Sequence, residues 1–184
     1  MGDYRLLSSA VVARGGFLDL AEEHFVNPRG EEFVRYAVHH PGAVVAVALE
    51  GEAALLVRQW RGAVRRHLLE APAGKLDVPG EEPADAMRRE LAEEIGRAPG
   101  SLVKLAEFYN SPGFTDELTH VYLATDLSPS ASVEALKDEE EDMTVESVPL
   151  RDFDRLIASG LIVDAKTIIA LLLARARLAV WGDG

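Results

Sequence analysis

The sequence predicts a mixed α/β fold preceded by a small β element. Residues 43–50, AVVAVALE, form a continuous apolar run rich in β-branched side chains, which is typical of a buried strand. Residues 83–96 combine helix-start and helix-stop residues with an apolar period of about 3.6 residues. Residues 165–180 form a further helical stretch that is apolar enough to pack against a sheet. Together these stretches indicate a sheet covered by helices.

Composition and charge exclude several kinds of function. The chain has 184 residues, no cysteine and a formal net charge of −12. The lack of cysteine excludes a disulfide framework, a thiol nucleophile and a Cys-ligated metal site, and it suits a reducing compartment. The first residues lack the pattern of a secretory signal, and no apolar stretch approaches the ~20 residues of a membrane span. We therefore predict a cytoplasmic protein that does not bind membranes. We also predict that it does not bind nucleic acid, because Lys and Arg form no cluster.

The N-terminal β element is predicted for residues 1–40. Residues 17–26 and 31–40 are alternating or β-rich runs joined by the turn sequence NPRG. A Pro-Gly pair then breaks the pattern. We predict a domain boundary at this pair, with a second domain at residues 41–184.

The second domain begins with a predicted hairpin. The buried strand at residues 43–50 is joined through the short connection EGE to a second strand at residues 53–61. A loop rich in Gly and Pro follows at residues 70–83. This loop runs directly into an acidic helix.

The helix at residues 83–96 has recognisable ends and two distinct faces. Pro83 suits the first turn, and Gly96 is placed to end the helix. One face is apolar and consists of Ala84, Met87, Leu91 and Ile95. A separate arc of the helix carries Glu90, Glu93 and Glu94. The three acids are therefore expected to converge in space.

The remainder of the chain predicts further strands and helices. The strands are at residues 102–110, 118–127 and 143–150. An acidic loop at residues 133–142 precedes the last of them. A helix is predicted from Arg151 to about Ser159, and Asp164 can cap the helix at residues 165–180.

The acidic helix belongs to a longer pattern. Gly74 is followed by six residues, Glu81, seven residues, and then Arg89-Glu90-Leu91-x-Glu93-Glu94-x-Gly96. This pattern resembles the Nudix box, G-x5-E-x7-R-E-U-x-E-E-x-G-U, in which U is a bulky aliphatic residue. It departs from that form by one extra residue in the first spacer and by Arg97 at the last position. The longer spacer is similar to that of ADP-ribose pyrophosphatase-like members, as are the stretches VRQWR, EAPAG, SPGFTDE and EEED.

The resemblance implies a fold and an activity. The fold is the Nudix α/β/α sandwich, preceded by the small N-terminal β-sheet element. The activity is metal-dependent hydrolysis of the pyrophosphate of ADP-ribose, or of a related nucleoside diphosphate sugar, to AMP and a sugar phosphate. Two alternatives stay open: a Nudix hydrolase of another substrate, such as a dinucleotide, another nucleotide sugar or FAD, and a non-catalytic nucleotide-binding module. The complete set of box acids argues against the second alternative.

A metal ion explains why an acidic chain gathers more acids on one helix. Carboxylates repel a pyrophosphate unless cations lie between the two. Mg²⁺ prefers oxygen ligands and is commonly held by carboxylates together with substrate phosphates, and Mn²⁺ is expected to substitute for it. By resemblance, the metal ligands are Ala73 (through its carbonyl), Glu90 and Glu94, assisted by Glu81 and Glu93. Arg89 is expected to pair with Glu93 one turn further on and to hold the carboxylates in place.

Substrate contacts are predicted at two places. Arg58 and Arg61 end the strand that leads into the metal loop, and Arg61 is the preferred candidate for clamping a phosphate with two hydrogen bonds. The alternative is that both are surface arginines. The match of residues 111–117 to the family implies a role in substrate binding or dimerisation for Gly113, Phe114 and Glu117. The alternative is a simple turn between strands.

The base that activates the attacking water is expected outside the helix. The helix acids are occupied by metal, so the base should come from a segment that can close over bound substrate. The acidic run at residues 138–142 meets this condition. By resemblance, Glu139 or Glu141 is favoured, with Glu140 close behind. Glu93 becomes the candidate if none of the three acts.

Aromatic and histidine residues give weaker signals. Phe17, Phe25, Tyr36 and Trp60 include candidates for stacking on a nucleobase, although buried aromatic residues more often belong to the core. The histidines at positions 39, 40 and 120 show no metal-ligand spacing and are interpreted as structural or exposed. Because a short β element is marginal alone, we predict a homodimer. The resemblance implies that the N-terminal element is exchanged between subunits and contributes to nucleoside recognition.

Overall fold

The structure is a computed structural model that describes residues 3–130 and 142–182, with side chains described as far as residue 179. It divides into two compact units. Unit 1 comprises Met1–Gly42 and Phe108–Leu118, and unit 2 comprises Ala43–Glu107 and Thr119–Gly184. The acidic run that carries Glu139, Glu140 and Glu141 lies outside the described residues, except for its last member, Asp142.

Unit 1 is built on an antiparallel sheet. Its strands follow the order of the chain: β1 (Arg5–Gly15), β2 (Leu18–Val26) and β3 (Glu32–His39). The turn between β2 and β3 is closed by Asn27, whose Oδ1 accepts the backbone N–H groups of Arg29 and Glu31 at 2.9 and 3.0 Å. The predicted β-rich runs at residues 17–26 and 31–40 are therefore confirmed as β2 and β3.

The loop at residues 111–117 folds against the last strand of unit 1. The N–H of Val38 donates to the carbonyl of Phe114 at 2.7 Å. The base of the loop is closed by a bond from the N–H of Asn110 to the carbonyl of Glu117 at 3.1 Å. These bonds make the loop an ordered extension of the sheet rather than only a turn between strands.

Unit 2 is built on a mixed sheet. Its strands are β4 (Ala43–Glu50), β5 (Ala53–Arg61), β6 (Arg66–Glu70), β7 (Ala73–Lys75), β8 (Arg97–Tyr109), β9 (Leu118–Pro129) and β10 (Thr144–Pro149). The order across the sheet is β10-β5-β4-β9-β8, with β6 paired to β5 and β7 paired to β4. The strands β4 and β9 are parallel. The predicted hairpin is confirmed, since Glu50 pairs with Ala53.

Short or interrupted strands were not predicted correctly. The strand β6 was missed, and β7 was assigned to a loop because it has three residues with a glycine at the centre. The strand β8 begins at Arg97, five residues before the predicted start, because the chain continues through Pro99 and Gly100. Gly100 is required there, since a Cβ atom would lie 2.9 Å from the Cβ of Asp126.

The acidic helix forms where the sequence predicts it. Helix α1 spans Pro83–Ile95, and Gly96 ends it in the left-handed conformation with φ 63°. Its apolar side chains Met87 and Leu91 are fully buried against Val44 and Val57 of the sheet. Complete burial of such a side chain contributes roughly 1.5–3 kcal/mol. The predicted apolar face is confirmed, and its packing fixes the position of the α1 acids relative to the sheet.

The remaining helices complete the second layer of the sandwich. Helix α2 spans Phe153–Ala158, and helix α3 spans Ala165–Gly182. Asp164 caps α3 as predicted, because its Oδ2 accepts the N–H of Thr167 at 2.9 Å. Val45 and Val47 of β4, which point away from the α1 face, are also fully buried, and α3 contacts β4. No helix in the described part of the chain is both long and apolar enough to cross a membrane.

Candidate active site

A glycine turn lies directly against the acids of α1. The strand β7 pairs with β4, which places Gly74 opposite Val44. A Cβ atom at position 74 would collide with the side chain of Glu90, including its Cδ and Oε1 atoms. The absence of a side chain at Gly74 therefore lets the carboxylate of Glu90 reach the backbone of the turn, which explains the glycine that opens the sequence pattern.

The same turn binds a second acid of the helix. The backbone N–H of Ala73 donates to Oε2 of Glu94 at 2.9 Å. Glu90 is 5% exposed and Glu94 is 7% exposed. Two nearly buried carboxylates thus meet one backbone turn.

Arg89 connects the other acids of the pattern. Its Nη1 atom donates to Glu90 at 2.7 Å and to Glu93 at 3.2 Å. Its Nε and Nη2 atoms donate to the two oxygens of Glu81 at 3.1 and 3.0 Å. The bonds to Glu81 are the largest influence that raises the pKa of Arg89. The predicted Arg89–Glu93 pair is confirmed, and Arg89 holds three acids that would otherwise repel one another.

The oxygen atoms of this site fit a hard divalent cation. Among residues 3–130 and 142–182, no three acidic or histidine side chains are grouped as ready metal ligands, and Arg89 lies among three of the acids instead. Each carboxylate still offers about four acceptor positions, so a bond to Arg89 leaves Glu90 able to bind metal. Buried carboxylates beside a backbone turn are the oxygen chemistry that Mg²⁺ prefers. The assignment of individual ligands stays a prediction.

Arg61 and a buried glutamate form a second charged cluster in unit 2. The Nε and Nη2 atoms of Arg61 donate to the two oxygens of Glu70, both at 2.8 Å. The Glu70 side chain is 1% exposed. Burial, the largest influence, raises the pKa of this carboxyl, but the bonds from Arg61 and the charge of Lys166 outweigh it and lower the pKa to about 2. The bond to Glu70 is also the main cause that raises the pKa of Arg61, with a smaller contribution from the charge of Glu94.

Arg58 lies on the opposite face of the same strand. Successive side chains of β5 alternate between faces, so Arg58 points away from the face that carries Val57 and Arg61. Its Nε and Nη2 atoms donate to Glu146 of β10. Because α1 packs on the face of Val57, only Arg61 of the two predicted arginines shares a face with the helix acids. Substrate binding by either arginine stays a prediction.

Unit 1 contains a groove of about 410 Å³. Phe25 and Tyr36 of the sheet line one part of it, and residues 112–116 line another. Phe114 is 58% exposed and Tyr36 is 56% exposed. The structure thus brings two predicted loop residues, Gly113 and Phe114, together with two of the aromatic candidates for nucleobase stacking. The third predicted loop residue, Glu117, closes the base of the loop through its backbone carbonyl and does not line the groove.

The other two aromatic candidates lie elsewhere. Phe17 contacts the ring of His40 edge to face, and Trp60 of β5 contacts the ring of His67 in the same manner. Neither residue lines the groove.

His39, for which the sequence predicts no functional role, ties the loop at residues 111–117 to the sheet of unit 1. His39 Nδ1 lies 2.6 Å from Asp116 Oδ2, and His39 Nε2 lies 3.3 Å from Glu23 Oε1. The hydrogen bond to Asp116 is the main cause that raises the pKa of His39. The interpretation of His39 as structural therefore agrees with its contacts. Asp116, the Asp of SPGFTDE, was the one signal in the sequence that could have pointed to this contact. Its partner His39 is 77 residues away, and local spacing cannot show such a pair.

The site thus combines two nearly buried carboxylates, a glycine turn and an arginine paired with acids of the same helix. The chain belongs to the Nudix family, since the model of the NUDIX domain matches residues 38–171. The resemblance inferred from the acidic pattern is therefore confirmed.

Two curated relatives and one solved structure are similar over most of the chain. The ADP-ribose pyrophosphatase of Bacillus subtilis (strain 168) is 39% identical over 168 residues, which cover 91% of this chain and 90% of the relative. The ADP-ribose pyrophosphatase of Mycobacterium tuberculosis (strain ATCC 25618 / H37Rv) is 36% identical, with 95% and 84% covered. The crystal structure of an ADP compounds hydrolase matches with a TM-score of 0.86 at 24% identity, covering 99% of this chain and 97% of that chain. This structural match confirms the predicted fold.

Proposed function

We propose that this protein hydrolyses the pyrophosphate bond of ADP-ribose, or of a related nucleoside diphosphate sugar, to AMP and a sugar phosphate. The observation that carries the proposal is the similarity to two ADP-ribose pyrophosphatases over most of both chains. The geometry of the site supports it, because Glu90 and Glu94 lie buried on the turn at Ala73 and Gly74. A module that only bound nucleotides would not need to retain these acids.

The metal of the reaction is proposed to be Mg²⁺, with Mn²⁺ as a substitute. The proposed ligands are Ala73 (through its carbonyl), Glu90 and Glu94, with Glu81 and Glu93 assisting. When bound, the ion would neutralise phosphate charge, polarise phosphorus and lower the pKa of a bound water. Arg89 orients the acids that it bonds, so that they do not have to be ordered when substrate arrives.

Substrate recognition is proposed to use both charged and aromatic groups. Arg61 presents a planar fork that suits two phosphate oxygens, whereas Arg58 is the weaker candidate because of its position on the other face. Gly113 and Phe114, with Tyr36 on the same groove, are proposed to contact the nucleoside, since an exposed aromatic ring offers a stacking surface. Glu117 is proposed to act through the loop, whose base it closes.

The catalytic base is proposed to be Glu139 or Glu141, with Glu140 next and Glu93 as the candidate if none of these acts. A base must remove a proton from the attacking water while the helix acids hold metal. Glu93 is the weaker candidate because its carboxylate is already bonded to Arg89 at 3.2 Å. Single Glu→Gln variants at the three loop positions test the assignment, and the true base will show a steep loss of kcat with substrate binding retained.

We also propose that the protein is a cytoplasmic homodimer. The support is the lack of cysteine, which suits a reducing compartment, and an N-terminal sheet whose first strand is exposed along its length. In this proposal residues 1–40 take part in both dimerisation and nucleoside recognition.

The experiment that tests the proposed function is a coupled assay over a panel of nucleoside diphosphate derivatives with Mg²⁺ and with Mn²⁺, in which added phosphatase releases phosphate from the AMP and sugar phosphate products but not from the intact substrate. We expect ADP-ribose to be the preferred substrate and EDTA to abolish turnover. Glu90→Gln and Glu94→Gln should each lower kcat by about 10²-fold or more, because each removes a charged ligand. Glu82→Gln is the matched control, since Glu82 is exposed and precedes the same helix. Preferred cleavage of another nucleotide, or full activity of either site variant, contradicts the proposal.

A further inference from the structure

A network of four charges links three elements of unit 2. Glu70, at the end of β6, is bonded to Arg61 of β5 through two hydrogen bonds and to the ammonium group of Lys166 on α3. Lys166 Nζ also donates to Asp164 at 2.9 Å. The network therefore contains two cations and two anions, and it is neutral as a whole.

The hydroxyl group of Thr167 connects this network to the segment that precedes the glycine turn. The N–H of Ala71 donates to Oγ1 of Thr167 at 2.8 Å, and this hydroxyl donates to Asp164 Oδ2 at 2.6 Å. Thr167 is fully buried. The first turn of α3 is thus fixed to the segment that leads from Glu70 into Ala73 and Gly74.

Burial makes the charge balance at Glu70 demanding. A carboxylate that is 1% exposed has lost its water shell, and removing both of its cations would leave a buried unpaired charge. Arg61 is more exposed, at 39% for its side chain, and is the proposed phosphate ligand. To bind a phosphate with its whole fork, Arg61 must give up hydrogen bonds to Glu70.

We propose that Lys166 is a positioning residue that makes this exchange possible. It neutralises Glu70 from the side of α3, so Arg61 can transfer its hydrogen bonds from Glu70 to a substrate phosphate without leaving the buried carboxylate unpaired. The proposal rests on the proposed function, because it takes Arg61 as the phosphate ligand. It assigns a role in substrate binding to a residue of the last helix, outside the acidic pattern.

Steady-state kinetics of variants at Lys166 and Glu70, with ADP-ribose and Mg²⁺, test the proposal. Lys166→Met leaves Arg61 as the sole cation on Glu70, so we expect KM to rise at least about 10-fold while kcat stays within about 3-fold. The split arises because the phosphate contact is lost equally from the bound substrate and the transition state. Lys166→Arg keeps a cation and should retain a KM within about 3-fold of wild type.

The double variant Glu70→Gln/Lys166→Met separates positioning from simple structural support. With a neutral amide at position 70 no buried charge is left unpaired, so KM should return to within about 3-fold of that of Glu70→Gln alone. Arg175→Met removes another cation of α3, one that forms an exposed pair with Asp154 of α2, and this matched control should behave as wild type. If Lys166→Met does not fold, Lys166→Gln replaces it, with the same rise in KM expected.

The possible results distinguish this inference from the proposed function. A wild-type KM for Lys166→Met, or a double variant that stays as impaired as the single variant, overturns the inference. If wild type leaves ADP-ribose intact but cleaves another nucleoside diphosphate, the proposed substrate is wrong, and the same variants are compared on the nucleotide that is cleaved.

Discussion

At the scale of single residues, Gly74 determines where the carboxylate of Glu90 can lie. Glu90 occupies the space that a side chain at position 74 would need. Its carboxylate is also bonded to Arg89 and is nearly buried, so it cannot move aside freely. The φ of Gly74 is not positive, so its backbone conformation does not require glycine. Glycine is needed because the carboxylate of Glu90 approaches the backbone closely at this position.

Substituting this glycine should remove activity without unfolding the protein. In Gly74→Ala the new methyl group displaces the Glu90 carboxylate, so we expect kcat to fall by about 10²-fold or more and the free energy of unfolding to fall by about 1–3 kcal/mol. Kinetics and thermal denaturation measure the two effects. Gly62→Ala is the control, because a Cβ atom at that position meets no atom within 4 Å. Wild-type kcat for Gly74→Ala would show that the position of Glu90 does not matter.

At the scale of elements, α1 is held by the ion pairs of Arg89 as well as by its apolar face. Arg89 bonds Glu81, Glu90 and Glu93 while its own side chain is 24% exposed. Without Arg89, these three partly buried carboxylates would have no cation between them and would repel one another. The helix and the loop before it are therefore stabilised by an ion network at the site where a metal is proposed to bind.

Replacing Arg89 should make stability depend on metal. For Arg89→Met we expect a loss of about 2–4 kcal/mol in the free energy of unfolding. Millimolar Mg²⁺ should raise Tm more in this variant than in wild type, because the cation replaces the missing charge and binds only the folded site. Arg88→Met, an exposed position on the same helix, is the control. Equal Mg²⁺ shifts in all three proteins would argue against metal binding by these acids.

The loop at residues 111–117 should be held most firmly in mildly acidic solution. The pKa of His39 is raised above its ordinary 6.5, chiefly by the bond to Asp116, so its contribution is lost as pH rises through the raised value. For Asp116, burial is the largest influence and raises the pKa, but the bonds from His39 and from the His40 backbone, together with the charge of His39, outweigh it, and the pKa lies below 3.8. That contribution is lost as pH falls through the lowered value. The window between about 4 and 6.5 follows from these two directions.

Hydrogen exchange of the Val38 amide, which donates to Phe114, measures this effect. After correction for intrinsic exchange, protection should decline above the window by the equivalent of about 1 kcal/mol or less, because both side chains are about half exposed. His39→Gln should lose the dependence on pH. A dependence of the same size in this variant would assign it to other groups.

At the scale of the whole molecule, strongly patterned elements were predictable and distant pairs were not. Residues 43–50 and α1 combine a clear apolar pattern with clear end signals, and their bounds agree with the structure. The strand β8 was placed too late because Pro99 and Gly100 are read locally as a break, whereas the contact of Gly100 with Asp126 is made across the sheet. The bond between Glu70 and Lys166 joins residues 96 positions apart, and no sequence period contains that information.

The oligomeric state also belongs to this scale, and the predicted state is a homodimer. The strand β1 is exposed along its length and carries apolar side chains such as Leu6 and Val12, 49% and 53% exposed. An open apolar edge of this kind favours pairing with another chain. Sedimentation at micromolar concentration should therefore give twice the 20.0 kDa chain mass. Val12→Lys should weaken this association, whereas Leu161→Lys, at an exposed apolar residue of unit 2, should not. A wild-type monomer with full activity contradicts the prediction.

The central claim is that the buried acids of α1 serve the hydrolysis of a nucleoside diphosphate sugar. Product analysis by ³¹P NMR, with ADP-ribose and Mg²⁺ added to the purified full-length protein, tests it most directly. The account predicts that wild type converts ADP-ribose to equal amounts of AMP and ribose 5-phosphate, and that Glu90→Gln, folded as judged by circular dichroism, does so at least about 10²-fold more slowly. Intact ADP-ribose after prolonged incubation with wild type in both Mg²⁺ and Mn²⁺, or equal rates for the two proteins, would contradict it.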